Sequence, residues 1–202
     1  MRCLHPVTIE TDVVTPHSEG QKVRRKIQVP CGKCVACLSR RKDEWVFRLK
    51  KEFYNSARSV WVTLTYNELS VPISKEGKRT IRMDDISKFM KRFRKYEGNG
   101  VRFFACGEYG GDTNRPHYHI MLFNVSENYE RNIIAAWPYG FPDIRPLTEG
   151  RIVYTCKYVL SSSQFVDDTP FTLGSRGLDA RNLLSVAVVA LPSAINFLLP
   201  RL

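Results

Sequence analysis

His117 and His119 flank a single residue, Tyr118, in the apolar run His117–Phe123 (HYHIMLF). The run reads as a strand, in which residues i and i+2 point to the same face. Both imidazoles then converge on one side of a sheet, where they suit a Zn, Mn, Fe or Ni ion. A carboxylate is wanted beside them, and Glu108 is the candidate. It ends a preceding strand-like segment, Val101–Gly107 (VRFFACG), and the turn-rich link Gly110–Pro116 folds the chain back. In an antiparallel pair built this way, Glu108 sits across from the histidine strand. Two imidazoles and one carboxylate leave coordination positions open for a substrate phosphate oxygen. A lone His-x-His is also found as a polar cap on a sheet face, and two His with a carboxylate also bind Fe(II) in oxygenases.

A second constellation is Tyr154 and Tyr158, with Lys157 beside them. On a helix the two tyrosines are one turn apart on one face. A phenol with a pKa of about 10 is a poor nucleophile at neutral pH. It attacks a phosphodiester when a metal polarises the phosphate and a nearby cation, here Lys157, stabilises the phenolate. The same spacing suits two core aromatics, so spacing alone leaves both readings open.

The third is Cys31-x2-Cys34-x2-Cys37. Three thiols at this spacing, in a reducing compartment, signal a metal, and a closed tetrahedral site of this kind is structural zinc. Cys3 is the natural fourth ligand, with His5 as substitute. Closing the site staples the N-terminal arm to the first helix. Three free buried thiols are the alternative. Cys106 and Cys156 fall inside an expected strand and helix and read as packed thiols.

The elements that must position these residues follow from periodicity. Residues 1–30 carry few periodic signals, and Lys22–Lys26 (KVRRK) reads as a solvated strand or loop, with a DNA contact as the other option. From Ser39, Trp45, Leu49 and Phe53 recur every four residues, with Phe47 and Tyr54 beside the stripe, which is the pattern of an amphipathic helix. Ser59–Tyr66 is β-branched and aromatic, a buried strand. Asn67–Thr80 is a polar loop or hairpin. Asp84 and Asp85 are expected to cap a second helix whose buried stripe is Ile86, Phe89, Met90 and Phe93 and whose outer face is basic. Further helices are expected at 127–137 and 153–163, with a turn at 138–142 and a short strand near 143–145. One mainly antiparallel sheet with helices packed on it, an α+β fold, is the architecture implied. The expected organisation is an arm with the cysteine element at 1–40, the main domain at 41–165 and a C-terminal segment at 166–202.

The chain has 202 residues, 43% hydrophobic, with a net charge of +11. A core can form, and the charge points to a polyanionic partner such as nucleic acid. The N-terminus has no apolar run and is not expected to be a signal peptide. The apolar stretch Leu183–Leu199 is short for a membrane span and is broken by Pro192, so no membrane is expected.

In combination these pieces resemble the HUH endonucleases that initiate rolling-circle replication. The run CGEYGG at 106–111 and RPHYHIMLF at 115–123 look like the HUH motif, Val62–Tyr66 like the family's hydrophobic-Thr strand, and Tyr154-x3-Tyr158 like its paired-tyrosine motif. The match is closer to the initiators of gokushovirus-type Microviridae, single-stranded DNA phages, which share an early Cys, PCGKCxxC (here 30–37) and a basic helix containing Trp. The resemblance covers residues 1 to about 176. It implies an HUH endonuclease fold, His117, His119 and Glu108 as ligands of Mg²⁺ or Mn²⁺, and Tyr158 and Tyr154 as alternating nucleophiles. It implies cleavage of an origin in single-stranded DNA, in the cytoplasm of a bacterial host and alongside host replication proteins. One departure is Ser161, where the family often has a lysine three residues after the second tyrosine. Arg40, Arg41, Lys91, Arg92 and Arg115 are the candidate DNA contacts. A non-enzymatic zinc-stapled DNA-binding protein explains the charge and the cysteines but leaves the joint placement of His, Glu and Tyr to chance. An iron oxygenase explains neither the charge nor the tyrosines. HUH relaxases and transposases share the chemistry.

Overall fold

The computed structural model describes residues 2–14, 22–110, 113–158, 171–175 and 178. Ser161, the expected helix beyond residue 158 and the apolar stretch 183–199 lie outside the described residues.

The β-branched and aromatic run Ser59–Tyr66 forms β3, and its burial alternates strictly. Val60, Val62, Leu64 and Tyr66 enter one core, while Trp61, Thr63 and Thr65 face the other side. β3 pairs antiparallel with β5 (Pro116–Phe123), and β5 pairs antiparallel with β4 (Arg102–Tyr109). β6 (Gly140–Pro146) and β7 (Phe171–Gly174) flank them, giving the order β6-β3-β5-β4-β7. The histidine strand is therefore the centre of a five-stranded sheet, with a neighbour on each side to supply partners. Gly140 packs against the backbone of Thr65 so closely that a Cβ there would lie 2.1 Å from the Thr65 carbonyl oxygen.

Helices cover both faces. α2 (Met83–Glu97) buries Ile86, Phe89, Met90 and Phe93 against the even-numbered side chains of β3 and β5, with α3 (Tyr129–Ala136) beside it. On the opposite face Leu49 of α1 (Val35–Tyr54) and Ile152 and Cys156 of α4 (Glu149–Cys156) pack on Phe104, Met121 and Phe123. The histidines and Glu108 share strand parity with these last three residues, so α1 and α4 cover the histidine side.

The α+β expectation holds. Several details differ from the sequence reading. Asp84 and Asp85 lie in the first turn of α2 and do not cap it, since the N-cap is Arg82. The Asp85 carboxylate is instead buried and accepts a hydrogen bond from the Tyr66 hydroxyl at 2.6 Å. α4 begins four residues earlier than expected because the Thr148 side chain caps it, accepting from the Arg151 amide. Residues 7–29 hold an antiparallel hairpin of β1 (Val7–Val14) and β2 (Lys22–Val29), which makes a separate two-stranded sheet. The basic run Lys22–Lys26 is thus a strand, with Arg24 to Lys26 exposed.

Candidate metal centre and tyrosine pair

Strand register brings the acidic and imidazole groups together. Glu108 of β4 is the direct cross-strand partner of His117 on β5, and His119 is one rung further along, opposite Thr63 of β3. The Glu108 Oε1 lies 2.7 Å from His117 Nε2 and 2.9 Å from His119 Nε2. The other nitrogen of each ring is already engaged, His117 Nδ1 with the Arg115 carbonyl at 3.0 Å and His119 Nδ1 with the Thr63 hydroxyl at 3.1 Å. Those contacts fix the ring orientations and aim both Nε2 atoms at the same point. The three ligand atoms lie within 4.8 Å of one another. Two nitrogens and one carboxylate oxygen in that span fit one divalent ion with bonds of about 2.1 Å.

The electrostatics agree with a centre built for positive charge. Burial opposes ionisation of Glu108, but hydrogen bonds from His117, His119 and Tyr158 outweigh it and hold the carboxyl down to about 2. Burial likewise disfavours the His117 cation, yet the Glu108 carboxylate and the Arg115 carbonyl raise its pKa.

The tyrosine pair sits on this centre. Lys157 keeps helical angles after α4, so Tyr154 and Tyr158 remain one turn apart. The Tyr158 ring stacks on His119 at 5.8 Å, and the Tyr154 ring meets the same imidazole edge-on at 5.8 Å. Burial, then Tyr154 and Glu108, push the Tyr158 phenol well above its usual pKa. The Lys157 ammonium lies 5.6 Å from the Tyr154 ring centre.

Two residues to which sequence reasoning gave no role hold the parts in register. Trp61 of β3 stacks on His119 at 4.8 Å and donates its indole N–H to the Thr155 hydroxyl of α4 at 3.0 Å. Thr63 orients His119, as described. Strand alternation puts Trp61 and Thr63 on the His119 side of β3, and that was the available signal.

The cysteines form a second group. The four sulfurs of Cys3, Cys31, Cys34 and Cys37 lie within 4.8 Å of one another, with Cys3–Cys34 at 3.9 Å and Cys31–Cys37 at 4.0 Å. Tetrahedral zinc with bonds of about 2.3 Å spaces its sulfurs by about 3.8 Å, which these distances match. The fourth position falls to Cys3, and His5 is outside the group. The Leu4 and Cys37 amides hold the Cys34 thiol down to about 6, whereas burial raises Cys37 to about 11. Cys106 and Cys156 are fully buried, as expected of packed thiols.

The basic candidates do not gather at one place. Arg40 and Arg41 lie on α1, on the side of the histidines, with Arg40 exposed. Lys91 and Arg92 lie on α2, across the sheet. Lys91 is exposed, while Arg92 donates to the Ala136 carbonyl at 2.7 Å and covers the Tyr139 ring. Arg115 binds the Glu68 carboxylate and the Tyr66 carbonyl, tying the start of β5 to the loop after β3.

Among the described residues no helix is long and apolar enough to cross a membrane. The profile of the replication-associated protein ORF2 family matches residues 59–163, the span that runs from β3 through both tyrosines. The chain is 33% identical over 150 residues to replication-associated protein ORF2 of Spiroplasma virus 4, covering 64% of this chain and 47% of that protein. It is 26% identical over 154 residues to replication-associated protein ORF4 of Chlamydia phage 1, covering 65% and 37%. It is 25% identical over 136 residues to replication-associated protein VP4 of Bdellovibrio phage phiMH2K, covering 61% and 42%. The chain thus spans less than half the length of each of these relatives. With its histidines, Glu108 and both tyrosines inside the matched span, the chain belongs to the replication-associated protein ORF2 family.

Proposed function

We propose that this protein is a metal-dependent DNA nicking and joining endonuclease, a tyrosine transesterase that cuts a single-stranded replication origin to start rolling-circle replication of a small phage genome. The observation that carries the reading is the packing of two hydrogen-bonded tyrosines directly on His119, beside Glu108 and His117. Mg²⁺ or Mn²⁺ held by Glu108, His117 and His119 would polarise the scissile phosphate and draw off its charge.

The chain's own residues do the rest. Tyr158 or Tyr154 attacks phosphorus, the P–O3′ bond breaks, and the strand's 5′ phosphate stays on the tyrosine. The phenolic proton ends on the departing 3′ oxygen, leaving a 3′-OH that primes synthesis. Lys157 stabilises the phenolate as the proton leaves. Trp61 and Thr155 hold α4 over His119, so the nucleophiles and the metal site stay in register. The second tyrosine cuts the regenerated origin, and the new 3′-OH displaces the first tyrosine from its phosphate. One phosphodiester is exchanged for another, and no ATP is consumed.

Cys3, Cys31, Cys34 and Cys37 would hold a structural Zn²⁺, which would fasten the β1–β2 arm to the start of α1. The setting is the cytoplasm of a bacterial host, with host replication proteins extending the 3′ end. The test is a denaturing gel after incubation with viral single strand and Mn²⁺. A protein–DNA adduct that disappears with EDTA or with His117→Ala is expected; salt-sensitive binding with no adduct would leave only a DNA-binding protein.

A further inference from the structure

One face of α1 packs on the sheet through Trp45, Leu49 and Phe53. Another carries Phe47, Lys50, Lys51 and Tyr54, which with Asn55 line an open cavity of about 480 Å³. Phe47 and Tyr54 are each 67% exposed, so neither ring serves the core. They are seven residues apart, which places them on nearly the same side of the helix, about 10 Å apart along its axis. Lys50 and Lys51 stand between them. Large aromatics left in water beside lysines fit a partner with flat apolar faces joined by negative links, which is the chemistry of single-stranded nucleic acid. The chain's net charge of +11 favours the same partner.

The patch is tied to the tyrosine helix. Glu149, the first residue of α4, accepts hydrogen bonds from both Lys50 and Tyr54. Along α4, Glu149 and Tyr154 are separated by a rise of about 7.5 Å. A strand engaged by Tyr154 or Tyr158 therefore reaches the α1 patch within a few nucleotides.

We propose that Phe47 and Tyr54 are a base-stacking platform for the single strand flanking the cleavage point, with Lys51 on its phosphates and Lys50, through Glu149, holding Tyr54 in place. This rests on the reading of the protein as a nickase of single-stranded DNA and adds the surface that holds the substrate. Base stacking on an aromatic is sequence-tolerant, so the platform grips the strand without reading it.

The test uses the full chain with a labelled mixed-sequence single-stranded oligonucleotide in buffer without Mg²⁺, Mn²⁺ or chelator, where no cleavage is expected and the cysteine site keeps its metal. Phe47→Ala should weaken binding about tenfold or more, with an unchanged melting temperature because the ring is exposed. The indole introduced by Phe47→Trp should be quenched by the single strand, measured against the native chain, and much less by duplex of the same sequence. Unchanged affinity in Phe47→Ala, or an unquenched indole, overturns the platform and leaves the patch to a protein partner. Because both readouts are taken without Mg²⁺ or Mn²⁺, they stand apart from the nicking reading, which fails separately if the native chain with Mn²⁺ forms no adduct.

Discussion

The Tyr158 hydroxyl donates a hydrogen bond to the Tyr154 hydroxyl at 2.8 Å, with both rings against His119. Under the proposed function, two tyrosines at one centre suit a reaction that must cut twice. Tyr158→Phe and Tyr154→Phe are each expected to keep single-strand binding near native while losing or redistributing the covalent adduct. A gel resolving adducts on origin and regenerated-origin substrates checks this, and full adduct in both assays from either variant would refute alternation.

Thr63 reaches the candidate metal site through His119, whose Nδ1 it meets at 3.1 Å. Partners of this kind typically govern metal affinity by 10–100-fold. Thr63→Val should weaken Mn²⁺ binding by about that factor, and Thr63→Ser should restore it. Titration calorimetry of the three proteins is the measurement, and equal affinities would show that Thr63 does not orient the ligand.

The four cysteines are expected to hold one zinc per chain. Elemental analysis of purified protein should give close to a one-to-one ratio, lost when Cys31, Cys34 and Cys37 are replaced by serine. The β1–β2 hairpin buries no side chain among the described residues, and an isolated hairpin is marginal in water. Its amides should therefore lose exchange protection on chelation. Metal-free native protein with full protection would remove the site.

Glu149 joins α4 to α1, and hydrogen bonds from Lys50 and then Tyr54 depress its pKa. A depressed carboxyl stabilises the fold above its unfolded pKa, and that contribution fades as pH falls through the folded value. NMR titration should place the Glu149 midpoint below the usual carboxylate range, with Lys50→Ala moving it back up. A normal midpoint in the native chain would mean the tie is absent in solution.

Phe93 is fully buried and stacks on Phe89 with ring centres 5.7 Å apart. Phe93→Ala should cost about 3–5 kcal/mol of stability, read from urea unfolding. A loss under about 1 kcal/mol would mean the α2 face of the sheet is loosely packed.

Much of this was legible because one physical rule covers it. Period-two alternation puts His117 and His119 on one face, and a short turn returns Glu108 to the same rung, so the meeting of the three side chains could be read from spacing, whereas spacing left their role as metal ligands open. The stripe Ile86, Phe89, Met90 and Phe93 was legible for the same reason at helical period. The β1–β2 hairpin was not, because its alternating Val7, Ile9, Ile27 and Val29 are diluted by charged residues. Asp85 was misread because its chemistry as a cap is also its chemistry as an acceptor for buried Tyr66. Trp61 was missed because alternation gives only its side of β3, while its role depends on α4 docking there through the Thr155 hydroxyl, a tertiary contact. Arg92 and Arg115 look like DNA contacts in sequence, yet here they bind carbonyls and a carboxylate of the chain itself.

The most direct test of the central claim is peptide mapping of the covalent adduct. Native protein is reacted with a single-stranded origin oligonucleotide and Mn²⁺, digested with protease and nuclease, and the nucleotide-bearing residue is located by mass spectrometry. The expected result is a 5′ phosphate on Tyr158 or Tyr154, with no adduct from the Tyr154→Phe, Tyr158→Phe double variant. A nucleotide on any other residue, or full adduct from the double variant, would contradict the assignment of these tyrosines as the nucleophiles.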